Sequence, residues 1–461
     1  MGLSRTLRHS LFAMLCAATV FITACQTDAI TGKSTLNLYS YDDEKRLGDE
    51  AVQPILAELG GLYPDPVIQD YVTMVGKKVE AAGRSRLRKD AGFPDWDFKF
   101  YVVNTSMLNA FALPGGHVFV TRGILLRMKD ESELAGLLGH EVTHVFARHS
   151  VERMSEVTLM IIPVALLASI EETQGVAVVG MVAVQLLTLK YGRDDETEAD
   201  HNGMRFAVRA GYHPDGIINV MRMLNEYTDE HGGGGPEFLS THPDPGNRVD
   251  SLTRQMRKEY PDADTAAYLR NGPEYDAALV DIRACQPAYV LADQGDDAMG
   301  EGFKAFEQGG EAAALPHYRK ALGLYQQAVN KVNRHAILHV NVAQAHYYLK
   351  NYEASERAIV EALNLEPGGF WPNFMGGLTA IKRNDHGVAA ARFENALRLI
   401  PESPVGMFYL AVSYDRLGRA GDAVTYYRKA WDTFGGEGDL AEAARQRLIE
   451  LGQPDPKTQG R

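Results

Sequence analysis

His140-Glu141-Val142-Thr143-His144 is the stretch whose reading decides the fold of this chain. Two histidines four apart on a helix project from one face, so both neutral imidazoles can donate to a single Zn²⁺. Glu141, one step round the helix, can reach a water beside that ion. The reading needs a helix, a further ligand and a surface for substrate. The helix is well signalled: Asp130 with Glu133 makes a capping-box-like start, and Leu134, Leu137, Leu138 and Val145 give it an apolar side. His149 is read as structural, because the ligand pair is already complete.

Ahead of this helix the pattern is that of strands. Residues 97–103 and 117–121 are β-branched and aromatic, split by the loop Asn109-Ala-Phe-Ala-Leu-Pro-Gly-Gly116. Gly115-Gly116 permits a tight turn or a close backbone approach. A strand beside the metal helix can offer its edge to an extended peptide, although a plain loop between two core strands fits the residues equally well. Earlier still, one helix runs from Asp42 to a stop at Gly60-Gly61. A second spans about Pro66 to Ala82, with Val67, Tyr71, Met74, Val75 and Val79 expected on its buried face.

Beyond the metal helix, Val157–Ile170 and Val176–Leu189 are apolar stretches of 14 residues each. That is short of the roughly 18–20 needed to span a bilayer, so a buried or site-covering helical hairpin is expected. Tyr191–Asp200 opens another helix. A catalytic zinc takes three protein ligands and keeps a fourth position open. Glu196, four residues before Asp200 on one helix face, is the candidate third ligand, with Glu198 left open by spacing alone. Asp200 can hydrogen-bond a ligand imidazole's free N–H. Gly232–Gly235 mark a loop, and two X-Pro steps stiffen the segment Leu239–Arg248, which aims His242 and Arg248. Both are candidate donors to the oxyanion of peptide-bond hydrolysis, with Glu141 as general base. His242 alternatively fills the fourth zinc position until substrate displaces it.

The chain has 461 residues, 45% hydrophobic and 23% charged, so two or three domains are expected. Its net charge of −13 with no long basic run argues against nucleic acid as a partner. Residues 1–24 read as a secretory signal: Arg5 and Arg8, an apolar run from Leu11 to Ile22, then Thr23-Ala24-Cys25. The ending resembles a bacterial lipobox, which implies lipid on Cys25 and a membrane anchor. Gln26 in place of an aspartate favours the outer membrane, facing the periplasm. Residues 25–40 are polar and read as a tether. Cys16 leaves with the signal and Cys285 is left with no intrachain partner.

From about residue 290 the chain turns to short amphipathic helices with a period of 34 between Pro367 and Pro401. Ala343, Gly377 and Ala411 share one small-residue position, Ser355, Ala389 and Ala423 a second, and Ala362, Ala396 and Ala430 a third. Ile359, Phe393 and Tyr427 supply the larger apolar residue between. This resembles the tetratricopeptide repeat, with a degenerate earlier unit near Gly302, Ala314, Tyr318 and Ala321.

Four segments together carry a family resemblance. Asn109–Gly123, Leu138-Gly-His-Glu-Val-Thr-His144, Glu196-Thr-Glu-Ala-Asp200 and Ser240-Thr-His-Pro243 resemble the HtpX/BepA-type gluzincin metallopeptidases. The resemblance covers about residues 30–280, and the appended repeats resemble the BepA-like periplasmic branch. It implies an α+β, zincin-like catalytic domain (41–285), with a small sheet beside the metal helix, followed by an all-α tetratricopeptide solenoid (290–452). It implies one Zn²⁺ per chain on His140, His144 and Glu196, which settles the choice over Glu198. Glu141 is then the base and Asp200 a further catalytic residue, and residues 116–121 gain weight as an edge strand. The implied activity is endopeptidase cleavage of envelope proteins, such as misfolded outer-membrane proteins, with the repeats docking substrate or the outer-membrane assembly machinery. The alternative is a chaperone-like adaptor in which proteolysis is secondary.

Overall fold

A computed structural model of the chain describes residues 25–167, 188–230, 235–242, 247–264 and 267–458. The expected export signal, the greater part of the second apolar stretch, and Pro243–Gly246 lie outside these residues. The described residues group into two compact units, one of 25–52, 65–167 and 188–279, the other of 53–64 and 280–458. The boundary expected at 285–290 therefore falls at Leu279/Val280, where a long helix begins, and residues 53–64 group with the repeats.

The first unit opens with an antiparallel hairpin, β1 (Cys25–Thr27) against β2 (Ser34–Leu36). The expected tether is thus a folded element. Its polar residues satisfy their own turn: Asp28 Oδ1 accepts from Ile30 N at 3.0 Å and from Thr31 Oγ1 at 2.5 Å. Ala29 is buried and its carbonyl accepts from Arg88 N at 2.9 Å, while Leu38 N donates to Ser155 Oγ at 2.9 Å.

Helices α1 (Tyr41–Glu58) and α2 (Pro66–Arg84) follow. Asp65 caps α2 by accepting from Val67 N at 3.0 Å, and Pro66 needs no N–H there. Its buried face is Ile68, Tyr71, Val72, Val75 and Val79. Val67 and Met74, expected inside, are about half exposed, because the buried stripe runs one residue later round the helix.

The sheet consists of β3 (Lys99–Val103), β4 (Ala110–Leu113) and β5 (His117–Thr121) in the order β3-β5-β4. β5 pairs parallel with β3 and antiparallel with β4, Phe111 facing Phe119 across the hairpin. Residues 117–121 are therefore the central strand, not the edge. The edges are β3 and β4, and β4 is a strand formed from half of the segment expected to be a loop. Gly115 and Gly116 both have positive φ (81° and 90°), and a Cβ on Gly116 would stand 3.0 Å from the Phe98 ring.

After α3 (Arg122–Arg127) comes the metal helix α4 (Glu131–Ala147), all of it buried. Asp130 Oδ1 accepts from Glu133 N at 3.2 Å, and Glu133 Oε2 accepts from Lys129 N at 2.8 Å, so the cap expected from sequence forms. Arg148 ends the helix in the left-handed region, φ 64°. α5 (His149–Leu167) leads on, and α6 (Arg193–Arg209) crosses α4. The crossing is a backbone contact. A Cβ on Gly139 would lie 2.6 Å from Gly203 O, and one on Gly203 would lie 2.7 Å from His140 N. The unit closes with α7 (Gly216–Glu230), α8 (Glu237–Thr241), α9 (Arg248–Glu259) and α10 (Tyr275–Ala278). Among the described residues no helix is long and apolar enough to cross a membrane.

The second unit begins with α11 (Val280–Lys331), which Gly310 (φ 71°, ψ −166°) breaks into two helices. Three helical hairpins follow: α12 (Ala336–Tyr348) with α13 (Tyr352–Leu365), α14 (Phe370–Lys382) with α15 (His386–Leu399), and α16 (Pro404–Arg416) with α17 (Ala420–Thr433). α18 (Asp439–Glu450) ends the stack. The small repeat residues sit under the large ones. A Cβ on Gly377 would meet the Phe393 ring at 2.6 Å, and one on Gly302 the Tyr318 ring at 2.4 Å. This is a tetratricopeptide-repeat stack whose core is set by that size alternation.

Candidate metal centre

His140 and His144 stand one turn apart on α4, and their Nε2 atoms are 3.1 Å from each other. α6 brings Glu196 to the same point, its Oε1 3.5 Å from His144 Nε2 and its Oε2 3.7 Å from His140 Nε2. The end of α8 adds His242, whose Nδ1 lies 3.3 Å from His140 Nε2 and 2.8 Å from Glu196 Oε1. One donor atom from each of these residues falls within 4.8 Å of all the others, and all are buried. Around a tetrahedral ion with bonds of about 2.0–2.1 Å, donors stand about 3.3–3.4 Å apart, so the set fits zinc. Two imidazole nitrogens facing each other this closely also need a shared proton or cation between their lone pairs.

Positioning comes from a surrounding ring of polar and aromatic groups. His140 Nδ1 meets Asp200 Oδ1 at 3.0 Å, one turn along α6 from Glu196. His144 Nδ1 meets His149 Nδ1 at 2.9 Å, so His149 steers a ligand ring. The Tyr191 ring stacks on His144 at 3.9 Å and Phe238 stacks on His242 at 4.2 Å. Arg248, expected as an oxyanion donor, turns its guanidinium onto the carboxylates. Nε and Nη2 donate to Asp200 at 2.7 and 2.6 Å, and Nη1 makes an ion pair with Glu196 Oε2 at 2.8 Å, too bent for a hydrogen bond. Glu198 is not among the four donors.

The electrostatics follow from burial. Desolvation lowers the pKa of His140, and those of His144 and His242 further, so all three rings remain neutral, the ligating form. Burial pushes Glu196 up to about 7. Burial also acts on Asp200, but Arg248 and His140 outweigh it and hold this carboxyl well below the usual range. Desolvation, reinforced by Glu196, raises Glu141 well above an ordinary carboxyl. Among the described residues neither Glu141 oxygen, both buried, has a hydrogen-bond partner, Oε1 lying 3.8 Å from His242 Nε2. A carboxylate of raised basicity beside a metal donor set is equipped to take a proton from water.

Tyr191 and Phe238 were beyond sequence reasoning in these roles. No spacing rule links Phe238 to His242 as a stacking platform, and Tyr191 read only as the approach to α6.

A two-histidine helix completed by a carboxylate from a second helix, with a buried glutamate between the histidines, defines a zinc metallopeptidase. The model of Peptidase family M48 matches residues 76–256, which span the sheet, α4, α6 and most of α9. The chain is 27% identical over 400 residues to the beta-barrel assembly-enhancing protease of Yersinia pestis, covering 83% of this chain and 72% of that protein. It is 30% identical over 239 residues to the mitochondrial metalloendopeptidase OMA1 of Schizosaccharomyces pombe, covering 51% of this chain and 66% of that one. The Escherichia coli K12 beta-barrel assembly-enhancing protease matches at 27% over 272 residues, 55% of this chain and 54% of that protein. Among solved structures, a thermophilic TPR protein of Thermus thermophilus matches 34% of this chain and 99% of its own, at 18% identity and a TM-score of 0.27.

Proposed function

We propose that the chain cleaves envelope proteins as a zinc-dependent endopeptidase, anchored by lipid at Cys25 in the outer membrane and facing the periplasm, where it serves protein quality control. The observation that carries the proteolytic reading is the buried Glu141 carboxylate, without a hydrogen-bond partner among the described residues, beside the His140, His144, Glu196 and His242 donors. Zinc, when bound there, supplies Lewis acidity and lowers the pKa of water. Glu141 takes the proton of the attacking water and returns it to the leaving amine. Asp200 holds the His140 ring in one tautomer, and Arg248 keeps Asp200 ionised and holds Glu196 in place. His242 would hold the fourth corner of the donor set and would yield that place to water or peptide.

The edge strand β4, packed on α4, supports recognition of an extended segment by strand addition. Names of relatives that refer to beta-barrel assembly support outer-membrane proteins as substrates, and the repeats support docking of substrate or assembly machinery. The test is Glu141→Gln. Zinc content stays that of the wild type while cleavage of an unfolded outer-membrane protein falls by at least about 10²-fold. Undiminished cleavage refutes the mechanism; loss of cleavage with full envelope function in cells favours the adaptor role.

A further inference from the structure

We propose that Asp281, Cys285 and His335 form a second zinc site, in the repeat unit, which clips the start of α11 to the cap of α12. Asp281 and Cys285 are one turn apart at the start of α11, and His335 is the N-cap residue of α12. One donor atom from each lies within 4.8 Å of the other two. Cys285 Sγ is 3.5 Å from Asp281 Oδ1, and His335 Nε2 is 3.9 Å from the same oxygen. With Zn–S near 2.3 Å and Zn–N and Zn–O near 2.0–2.1 Å, tetrahedral geometry asks for about 3.5 and 3.3–3.4 Å. The set closes on an ion with a shift of well under one bond length.

The surroundings are those of a ligand sphere. His335 is buried, and Tyr289 Oη, 2.8 Å from Nδ1, fixes its ring with Nε2 turned toward Asp281. Tyr63 Oη donates to Asp281 Oδ1 at 2.7 Å and orients the carboxylate. Cys285 is fully buried, a free thiol and a soft donor of the kind that selects zinc. A cation already occupies the face of the cluster: Arg334 donates to Asp281 and, at 3.1 Å, to Cys285 Sγ. Its side chain is 52% exposed, so it can swing into water as a divalent ion takes its place. On binding, the Zn–S bond forms as the thiol proton leaves to solvent, and water fills the fourth position.

The test uses the full chain loaded with Co²⁺ in place of Zn²⁺ and freed of excess metal. The four donors of the peptidase centre include no sulfur, and Cys285→Ser distinguishes this thiolate from those of Cys16 and Cys25, so thiolate-to-cobalt charge-transfer absorption lost in that variant reports Cys285. The wild type should show that absorption and hold a second equivalent of metal. Cys285→Ser and His335→Gln should each lose both, with cleavage unchanged. A wild-type chain that binds one equivalent and shows no charge-transfer absorption in excess Co²⁺ overturns the proposal, even if neither variant folds. Loss of the peptidase metal by His140→Ala with the absorption intact separates this site from the catalytic reading.

Discussion

Replacing Arg248 separates a residue that positions the metal ligands from one that touches substrate. Its guanidinium, only 7% exposed, spans Asp200 at 2.6–2.7 Å and Glu196 at 2.8 Å, and Asp200 passes the constraint to His140. Arg248→Leu strands two buried carboxylates, which costs about 3–5 kcal/mol of stability in the metal-free chain. With Asp200 no longer held ionised, its pKa rises, and His140 loses its orienting acceptor as the pH falls. Loss of such an outer partner weakens metal binding by about 10–100-fold. Arg248→Lys keeps the charge but not the fork, and should fall between. Zinc dissociation constants from chelator competition, measured from mildly acidic to neutral pH, give the readout, with kcat and KM on a peptide alongside. The variants should bind zinc more weakly, most of all in acid, and recover much of their kcat at saturating zinc. Zinc affinity within about twofold of wild type, with kcat down by 10²-fold or more at every zinc concentration, refutes this and restores Arg248 as an oxyanion donor.

Gly203→Ala drives a methyl group into the α4 backbone beside His140, and should cost about 1–3 kcal/mol by denaturant titration while also weakening zinc binding. Arg148→Met breaks the buried pair with Glu44 (Nε to Oε1 2.5 Å) and the bond to Tyr39 O (2.8 Å), for about 3–5 kcal/mol. Adding Glu44→Gln should recover part of that loss in the same titration. Burial raises Glu133 to about 7, so the folded chain binds a proton that the unfolded chain releases near 4.5. Its stabilising contribution is full below the unfolded value and is lost as pH rises through about 7. Glu133→Gln should flatten that fall, on the order of 1 kcal/mol between about pH 5 and pH 8 once screening is discounted, in urea midpoints.

What was legible was local. The cap at Asp130, the histidine spacing on α4 and the helix carrying Glu196 and Asp200 are each written within a single turn or two; the cap forms, and His140, His144 and Glu196 meet at one point. The repeats were legible because their size alternation recurs in register. The edge strand was not: Ala110-Phe-Ala-Leu113 has two alanines, weak strand formers, and takes strand form through its ladder with β5. Polar residues after Cys25 suggested a loose tether, but Asp28 and Thr31 use those same polar atoms to build a turn. Arg248 lies 48 residues from Asp200 in sequence, and no periodicity says which acceptor a guanidinium finds at that range.

The glycine pair where α4 crosses α6 bears on metal choice. One side of the crossing supplies both imidazoles and the other the carboxylate, and between them Gly139 and Gly203 bring main chain against main chain. Side chains at an ordinary helix contact can repack to let two helices close on a smaller ion; here the stop is peptide against peptide. The bite of the site therefore has a floor, and an ion of smaller radius than zinc cannot draw the two helices closer together. Selection by ionic size is in this way built into two missing methyl groups rather than into the ligands themselves.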